Sequence, residues 1–298
     1  MKFEVICDSS ADLPESYVQE AKIKVVPFYV SVDGENYLRE GVDISIPDFY
    51  QAMIDHKDCY PKTSMPAIQD YIDAFTPFAQ AGMPLLCICL TKMFSGSLQS
   101  AMTAKDAVLE EYPDAKICVM DSQLVTALEG LLVQEAVRLR DLDLDLDTAV
   151  PMLEGIRSTG RIFFTTKDLK YLEHGGRLSK VASVAGSMLN LKPILLFENG
   201  DLGDTEICRG RKRSLQKVVD NFFRFLEKEN LDLRGYNFGT GIGVDIPEYP
   251  EFIEALKARF AESGVQPDDW IQVRIGATIG VHTGPYPMGL GILKKCDI

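Results

Sequence analysis

The sequence predicts an α/β protein of two domains, a mostly parallel, doubly wound sheet followed by an α+β domain. Three observations carry this. Residues 3–7, 85–90 and 116–120 are short apolar runs, as in parallel strands buried on both faces. Helical periodicities follow them, so strand and helix alternate through the first half. After residue 160 the order changes, and strands at 192–197 and 202–208 flank Glu198-Asn-Gly-Asp201, a hairpin signal, among helices.

The elements follow in order. Strand 3–7 ends at Asp8-Ser9-Ser10, and Asp12 precedes Pro14, the order of an N-cap and a first-turn proline. Polar residues at the C-terminal edge of such a strand mark the ligand-binding edge of an open α/β sheet. Residues 24–32 predict a second strand, Asp33-Gly34 a turn, and 35–39 the returning arm of a hairpin. Ser45 and Pro47 open a helix to about His56. Lys62-Thr-Ser-Met-Pro66 is extended, because Pro66 disfavours helical geometry at Met65; a helix over 67–75 follows.

After strand 85–90, Ser95, Gly96 and Ser97 sit where a helix begins, and Leu98, Ala101, Met102, Val108 and Leu109 share its apolar face. A helix start presents free N–H groups and a positive dipole end, a seat for a small anionic oxygen group. The simpler alternative is that Ser95 or Ser97 is only an N-cap. Strand 116–120 ends at Asp121-Ser122, and a helix spans 128–139. The alternating aspartates of 141–147 lack the glycine and the closing glutamate of a calcium loop and read as a solvated connector. The domain boundary falls near Thr148, giving domains 1–148 and 149–298. In the second, helices are predicted at 149–157, 179–191, 214–229 and 247–262, and strands at 161–165, 236–238 and 270–275. Residues 171–177 form a tight turn, and His282 closes a strand.

The chain has 31 basic and 44 acidic residues, a net charge of -13, which argues against general nucleic-acid binding and a polybasic membrane anchor. Its seven scattered cysteines include no C-x-x-C pair and read as small core residues in a reducing compartment. With no signal-peptide pattern and no apolar run of membrane-spanning length, a cytoplasmic location is expected. No P-loop is present, since Gly284 to Gly289 has the glycine spacing without the following Lys-Ser/Thr. Gly239-Thr-Gly-Ile-Gly243 lacks the full dinucleotide fingerprint, and neither a His-Glu-x-x-His nor a G-x-S-x-G motif occurs. One enzymatic alternative remains, a serine hydrolase in which Ser95, His282 and an acid such as Asp8 converge.

Several segments together carry a family resemblance: Asp8-Ser-Ser-Ala-Asp-Leu-Pro14, Thr63-Ser-Met-Pro66, Phe94-Ser-Gly-Ser-Leu-Gln-Ser-Ala101, Met120-Asp-Ser122, Tyr171-Leu-x-x-Gly-Gly-Arg177 and His282-Thr-Gly-Pro285. In this order and spacing the chain resembles the DegV family of fatty-acid-binding proteins. The resemblance implies a monomeric lipid-binding protein without turnover or cofactor, holding one long-chain fatty acid such as palmitate between its two domains. It implies the role of acyl-carrying subunit of a bacterial fatty acid kinase, whose catalytic partner phosphorylates the bound carboxylate. Carried onto this chain, Thr63, Ser95 and His282 hold the carboxylate, and Arg177 and Arg209 lie at the ligand mouth or the kinase-facing surface. Ala67, Ser97 and Pro285-Tyr-Pro-Met288 depart from the usual family pattern.

Physical chemistry agrees. A buried carboxylate needs hydroxyl and N–H partners. The tail contributes about 0.8 kcal/mol per buried methylene and sets affinity. The tail needs a long apolar channel, for which residues 181–191, Phe28 and Met120 are candidates. The basic run 209–213 is either a solvated helix start or a partner-facing patch.

Overall fold

A computed structural model describes residues 2–56, 59–167, 169–177, 191–264 and 270–297. In chain order the elements are β1 (Glu4–Asp8), α1 (Glu15–Glu20), β2 (Lys24–Val26), β3 (Tyr29–Ser31), β4 (Leu38–Arg39), α2 (Ile46–Asp55), β5 (Lys62–Ser64), α3 (Ile68–Gln80), β6 (Leu85–Cys89), α4 (Ser97–Glu111), β7 (Ile117–Asp121) and α5 (Thr126–Asp141). They continue with α6 (Leu146–Arg157), β8 (Arg161–Thr165), α7 (Lys170–His174), β9 (Leu191–Glu198), β10 (Asp201–Arg209), α8 (Arg211–Glu229), β11 (Tyr236–Ile242), α9 (Glu248–Glu262), β12 (Trp270–Arg274), α10 (Ala277–Thr283) and β13 (Met288–Lys294).

The first sheet is parallel, in the order β2-β1-β6-β7, with Val5 opposite Leu86 and Ile88 opposite Met120. Alternation along the strands gives it two apolar faces. Ile6, Leu85, Cys87 and Cys89 meet Tyr71 and Phe75 of α3 and Ala101 and Ala104 of α4. Val5, Cys7, Leu86 and Ile88 meet Leu128, Leu131 and Leu132 of α5. Cys87 and Cys89 are thus core residues, as the sequence indicated. The second sheet is mixed, in the order β10-β9-β8-β13-β11-β12, parallel only at β11–β12 among its pairings. An aromatic layer of Phe222, Phe223, Phe238, Phe260 and Trp270 packs α8 and α9 onto one of its faces. The other faces α5, which lies between the two sheets and has twelve of its sixteen residues buried, Glu129 and Glu135 among them. A small antiparallel sheet, β4-β3-β5, carries Thr63.

The predicted fold class is the observed one, with local departures. The strand expected over residues 24–32 is two strands, β2 and β3, because Pro27 supplies no N–H to a ladder. The hairpin at Asn199-Gly200 forms with φ of +52° and +82°, the geometry of a two-residue primed turn. The turn expected at 171–177 is mostly the short helix α7, closed by Gly175 and by Gly176 at φ +68°. The helix expected over 179–191 lies outside the described residues except at Leu191, which opens β9. His282 sits in the last turn of a helix, α10, and does not close a strand.

Candidate functional site

Where the two sheets, α5 and α10 meet, a cavity encloses about 1170 Å³ of space not filled by atoms, part of it open to solvent. Phe28, Phe94, Phe164, Phe197, Leu202 and Leu290 contribute apolar walls. Its floor is the α5-facing side of β11 and β13, where Gly239 pairs with Gly291 and Gly241 with Gly289, so four missing side chains leave a trough. Met120, expected to line the tail channel, is buried in the core and does not line the cavity, whereas Phe28 does.

Thr63, Ser95, Arg177 and His282 all line this cavity and gather at one part of it. Thr63 Oγ1 stands 3.4 Å from His282 Nε2. The Met65 sulfur lies against Gly96, which brings the β5 loop onto the Ser95 loop, as a Cβ there would lie 2.6 Å from it. Ser95 Oγ accepts the Ser97 N–H at 3.1 Å, just before α4 begins. The N-cap position itself is Gly96, without a side-chain cap. Ser97 turns inward instead, donating to Asp8 Oδ2 at 2.8 Å and meeting the Tyr71 hydroxyl at 2.6 Å.

Arg177 is half-buried. Its Nε and Nη2 donate to the Phe94 carbonyl at 3.2 and 2.8 Å, and its Nη1 to the Gly175 carbonyl at 2.6 Å. No carboxylate among the described residues pairs with it. Burial lowers its pKa, and a guanidinium so placed is an uncompensated positive charge. His282 is pressed against Gly175, where any Cβ would collide with Nδ1. Burial, and then the Arg177 charge, hold His282 down to about 3, so its ring is neutral at physiological pH. Its Nδ1 is buried without a partner.

Arg209 is exposed at the end of β10 and does not line the cavity. The rest of the basic run opens α8, and its half-buried member is Arg211, whose Nη2 donates to the Tyr286 carbonyl at 3.0 Å. A triad is not assembled. Asp8 accepts from Ser10, Ser97 and the Leu90 N–H, not from His282, and Ser95 makes no hydrogen bond to His282. Among the described residues no cluster of His, Cys, Asp and Glu has the makings of a metal site, and no helix is long and apolar enough to cross a membrane.

Sequence reasoning placed Asp8 and Asp12 at a strand edge but overlooked Glu40 and Glu129; all four are buried carboxyls behind the cavity wall, with pKa values raised first of all by burial. Ser10 Oγ lies 2.6 Å from Asp8 Oδ1 and 2.7 Å from Glu129 Oε2. One hydroxyl hydrogen satisfies one acid, so the other carboxyl donates to Ser10. We assign Glu129 as that acid, since burial and then the nearby Asp8 raise its pKa well above the usual carboxylate value and its Oε1 has no partner. The folded chain therefore keeps a proton that an unfolded glutamate releases above pH ~4. Stability linked to this group is complete below that value and is lost as pH rises through the folded pKa. His282 acts oppositely, since its depressed pKa costs stability as pH falls from the usual 6.5 towards about 3. In urea unfolding across pH, the wild type is therefore expected to lose stability relative to Glu129→Gln as pH rises above ~4. A difference between the two that does not change with pH would contradict the protonated assignment.

A mixed α/β scaffold holds an apolar cavity with a cationic, hydroxyl-bearing corner, a lining whose chemistry suits an amphipathic anion. The family model described as "Uncharacterised protein, DegV family" matches residues 2–295, and the chain belongs to that family. It is 30% identical to the DegV domain-containing protein TTE1491 of Caldanaerobacter subterraneus, over 99% of each chain. Among solved structures it is similar to a stearic-acid-binding protein from Eubacterium ventriosum, with a TM-score of 0.91 and 37% identity over 98% of each chain. It is also similar to DegV, a fatty acid binding protein from Bacillus subtilis, with a TM-score of 0.82 and 25% identity, covering 99% of this chain and 100% of that one.

Proposed function

We propose that this protein binds one long-chain fatty acid between units 1–148 and 149–298, with the carboxylate at Thr63, Ser95, Arg177 and His282 and the tail along the glycine trough. The observation that carries the reading is Arg177, a half-buried cation without a counter-ion among the described residues, at the polar corner of an apolar cavity. A carboxylate there gains charge-assisted bonds and relieves the unpaired charge. The Thr63 and Ser95 hydroxyls supply further donors, and neutral His282 donates from one ring nitrogen. The tail fits the remaining walls, which are apolar apart from Thr126, Thr278 and Thr283. The fatty-acid-binding character of similar DegV structures supports the same reading.

We further propose that the protein acts in the cytoplasm as a monomeric, non-catalytic subunit. It presents the carboxylate to a kinase that supplies the phosphoryl group from its nucleotide. The exposed Arg209, on an acidic chain, is assigned to that partner-facing surface. Native mass spectrometry after mild purification, or after palmitate addition, is expected to show one acyl-length adduct per chain. Acyl-phosphate is expected only when kinase and ATP are both added. Protein that stays apo in excess palmitate would refute the binding reading, and acyl-phosphate formed by the lone chain with ATP would refute the non-catalytic one.

A further inference from the structure

His282 is carried by α10, a helix of only seven residues. A helix this short has little stability of its own, so its place is set by what grips it. Among the described residues the grip on its N-terminal end comes from the first half of the chain. Asp12 Oδ1 accepts the Gly276 N–H at 2.9 Å. Glu40 Oε1 accepts the Thr278 N–H at 2.9 Å, and Oε2 accepts the Thr278 hydroxyl at 2.6 Å. The Ser9 hydroxyl donates to the same Glu40 oxygen, and the Thr126 hydroxyl to Asp12 Oδ2. Tyr50 donates to the Ile275 carbonyl at 3.0 Å.

Two glycines admit this approach. A Cβ at Gly276 would stand 2.5 Å from both Asp12 Oδ1 and Glu40 Oε1, so the two acids converge on one backbone position. A Cβ at Gly280 would stand 2.6 Å from the Tyr50 hydroxyl. Neither acid has a basic partner among the described residues. Two buried carboxyls without a cation are a poor way to add stability. They are an effective way to fix a helix end, because they fill the orphan N–H positions from a rigid neighbour. The other end of that helix holds His282 Nε2 3.4 Å from Thr63 Oγ1, near the limit of hydrogen bonding, where a small displacement breaks the contact.

We propose that Asp12 and Glu40 are positioning residues, clamping the first turn of α10 so that His282 is held against Thr63 for the ligand head group. The clamp rests on the carboxylate-binding reading of that corner. It acts through α10 and touches neither tail nor head group.

The test compares palmitate with hexadecanol, which has the same tail without the carboxylate, on Glu40→Ala and Glu40→Gln proteins. Glu40→Ala is expected to weaken palmitate about tenfold while hexadecanol changes by less than about twofold. Glu40→Gln keeps an oxygen for the Thr278 N–H and is expected to recover most of the loss. Equal losses for both ligands, or none for either, would overturn the proposal. A second readout needs no ligand: the ¹⁵N resonance of His282 Nε2 in the apo protein should move in Glu40→Ala and return in Glu40→Gln, and an unmoved resonance counts against the clamp. Should Glu40→Ala fail to fold, Ser9→Ala removes one bond to Glu40 and is read against the same outcomes. Failure of the wild type to bind palmitate would fall on the head-group reading, and the apo resonance would still test the clamp.

Discussion

An Arg177→Met protein is expected to bind palmitate about 30-fold more weakly than the wild type and to keep its affinity for hexadecanol, a loss of about 2 kcal/mol specific to the charged head group. Three donors of the guanidinium hold two backbone carbonyls, those of Phe94 and Gly175, and neither neutralises its charge. The field of that charge is weakly screened at a half-buried site, and it reaches His282, whose pKa it helps to lower. A carboxylate in this corner is thus stabilised by a cation already in place, before the hydroxyls are counted. Methionine keeps much of the stem that packs beside Phe94 and discards the charge. Titration calorimetry with both ligands checks the expectation. An equal loss for alcohol and acid would mean that Arg177 only staples the Phe94 and Gly175 loops together. No loss for either would remove it from the head-group site.

Much of the fold was legible because it is written in local periodicity. The apolar runs of β1, β6 and β7 and the helices after them need no long-range information. The convergence of Thr63, Ser95 and His282 was legible only through the family resemblance, which carried those three positions onto this chain. The helical state of His282 was not. Val281-His-Thr283 is rich in β-branched residues, and what makes it helical is capping by Asp12 and Glu40 from far along the chain, together with packing of Ala277 and Val281 on Phe49 and Tyr50. Arg209 and Arg211 show a different limit. In a basic run interrupted by Gly210 the side chains point different ways, and only the change from strand to helix after Arg209 decides that Arg211 turns inward. The glycines of 239–243 do not open a nucleotide loop, because Gly239 and Gly241 are interior to β11 and face glycines of β13. Their alternation was visible in the sequence, but pairing with a second glycine couplet some fifty residues on is a property of the sheet.

That floor sets the second large effect, at Gly241. A side chain there is expected to block the tail and leave the fold intact. A Cβ at Gly289 would meet the Phe163 carbonyl at 2.6 Å and the Phe164 Cα at 2.9 Å, main-chain atoms that cannot yield. At Gly241 the nearest atoms are side-chain carbons of Ile275 at 3.1 and 3.3 Å and of Val273 at 3.5 Å, which adjust by rotation. Replacing a glycine inside a strand also removes backbone freedom from the unfolded chain. Gly241→Leu is therefore expected to keep or raise the melting temperature. Its four side-chain carbons displace about four methylenes of the ligand, about 3 kcal/mol at 0.8 kcal/mol each, so palmitate is expected to bind over 100-fold more weakly. Unlike Arg177→Met, this variant loses hexadecanol equally, because the lost energy belongs to the tail. Wild-type affinity for both ligands in a folded Gly241→Leu protein would mean that the acyl chain does not run along β11 and β13.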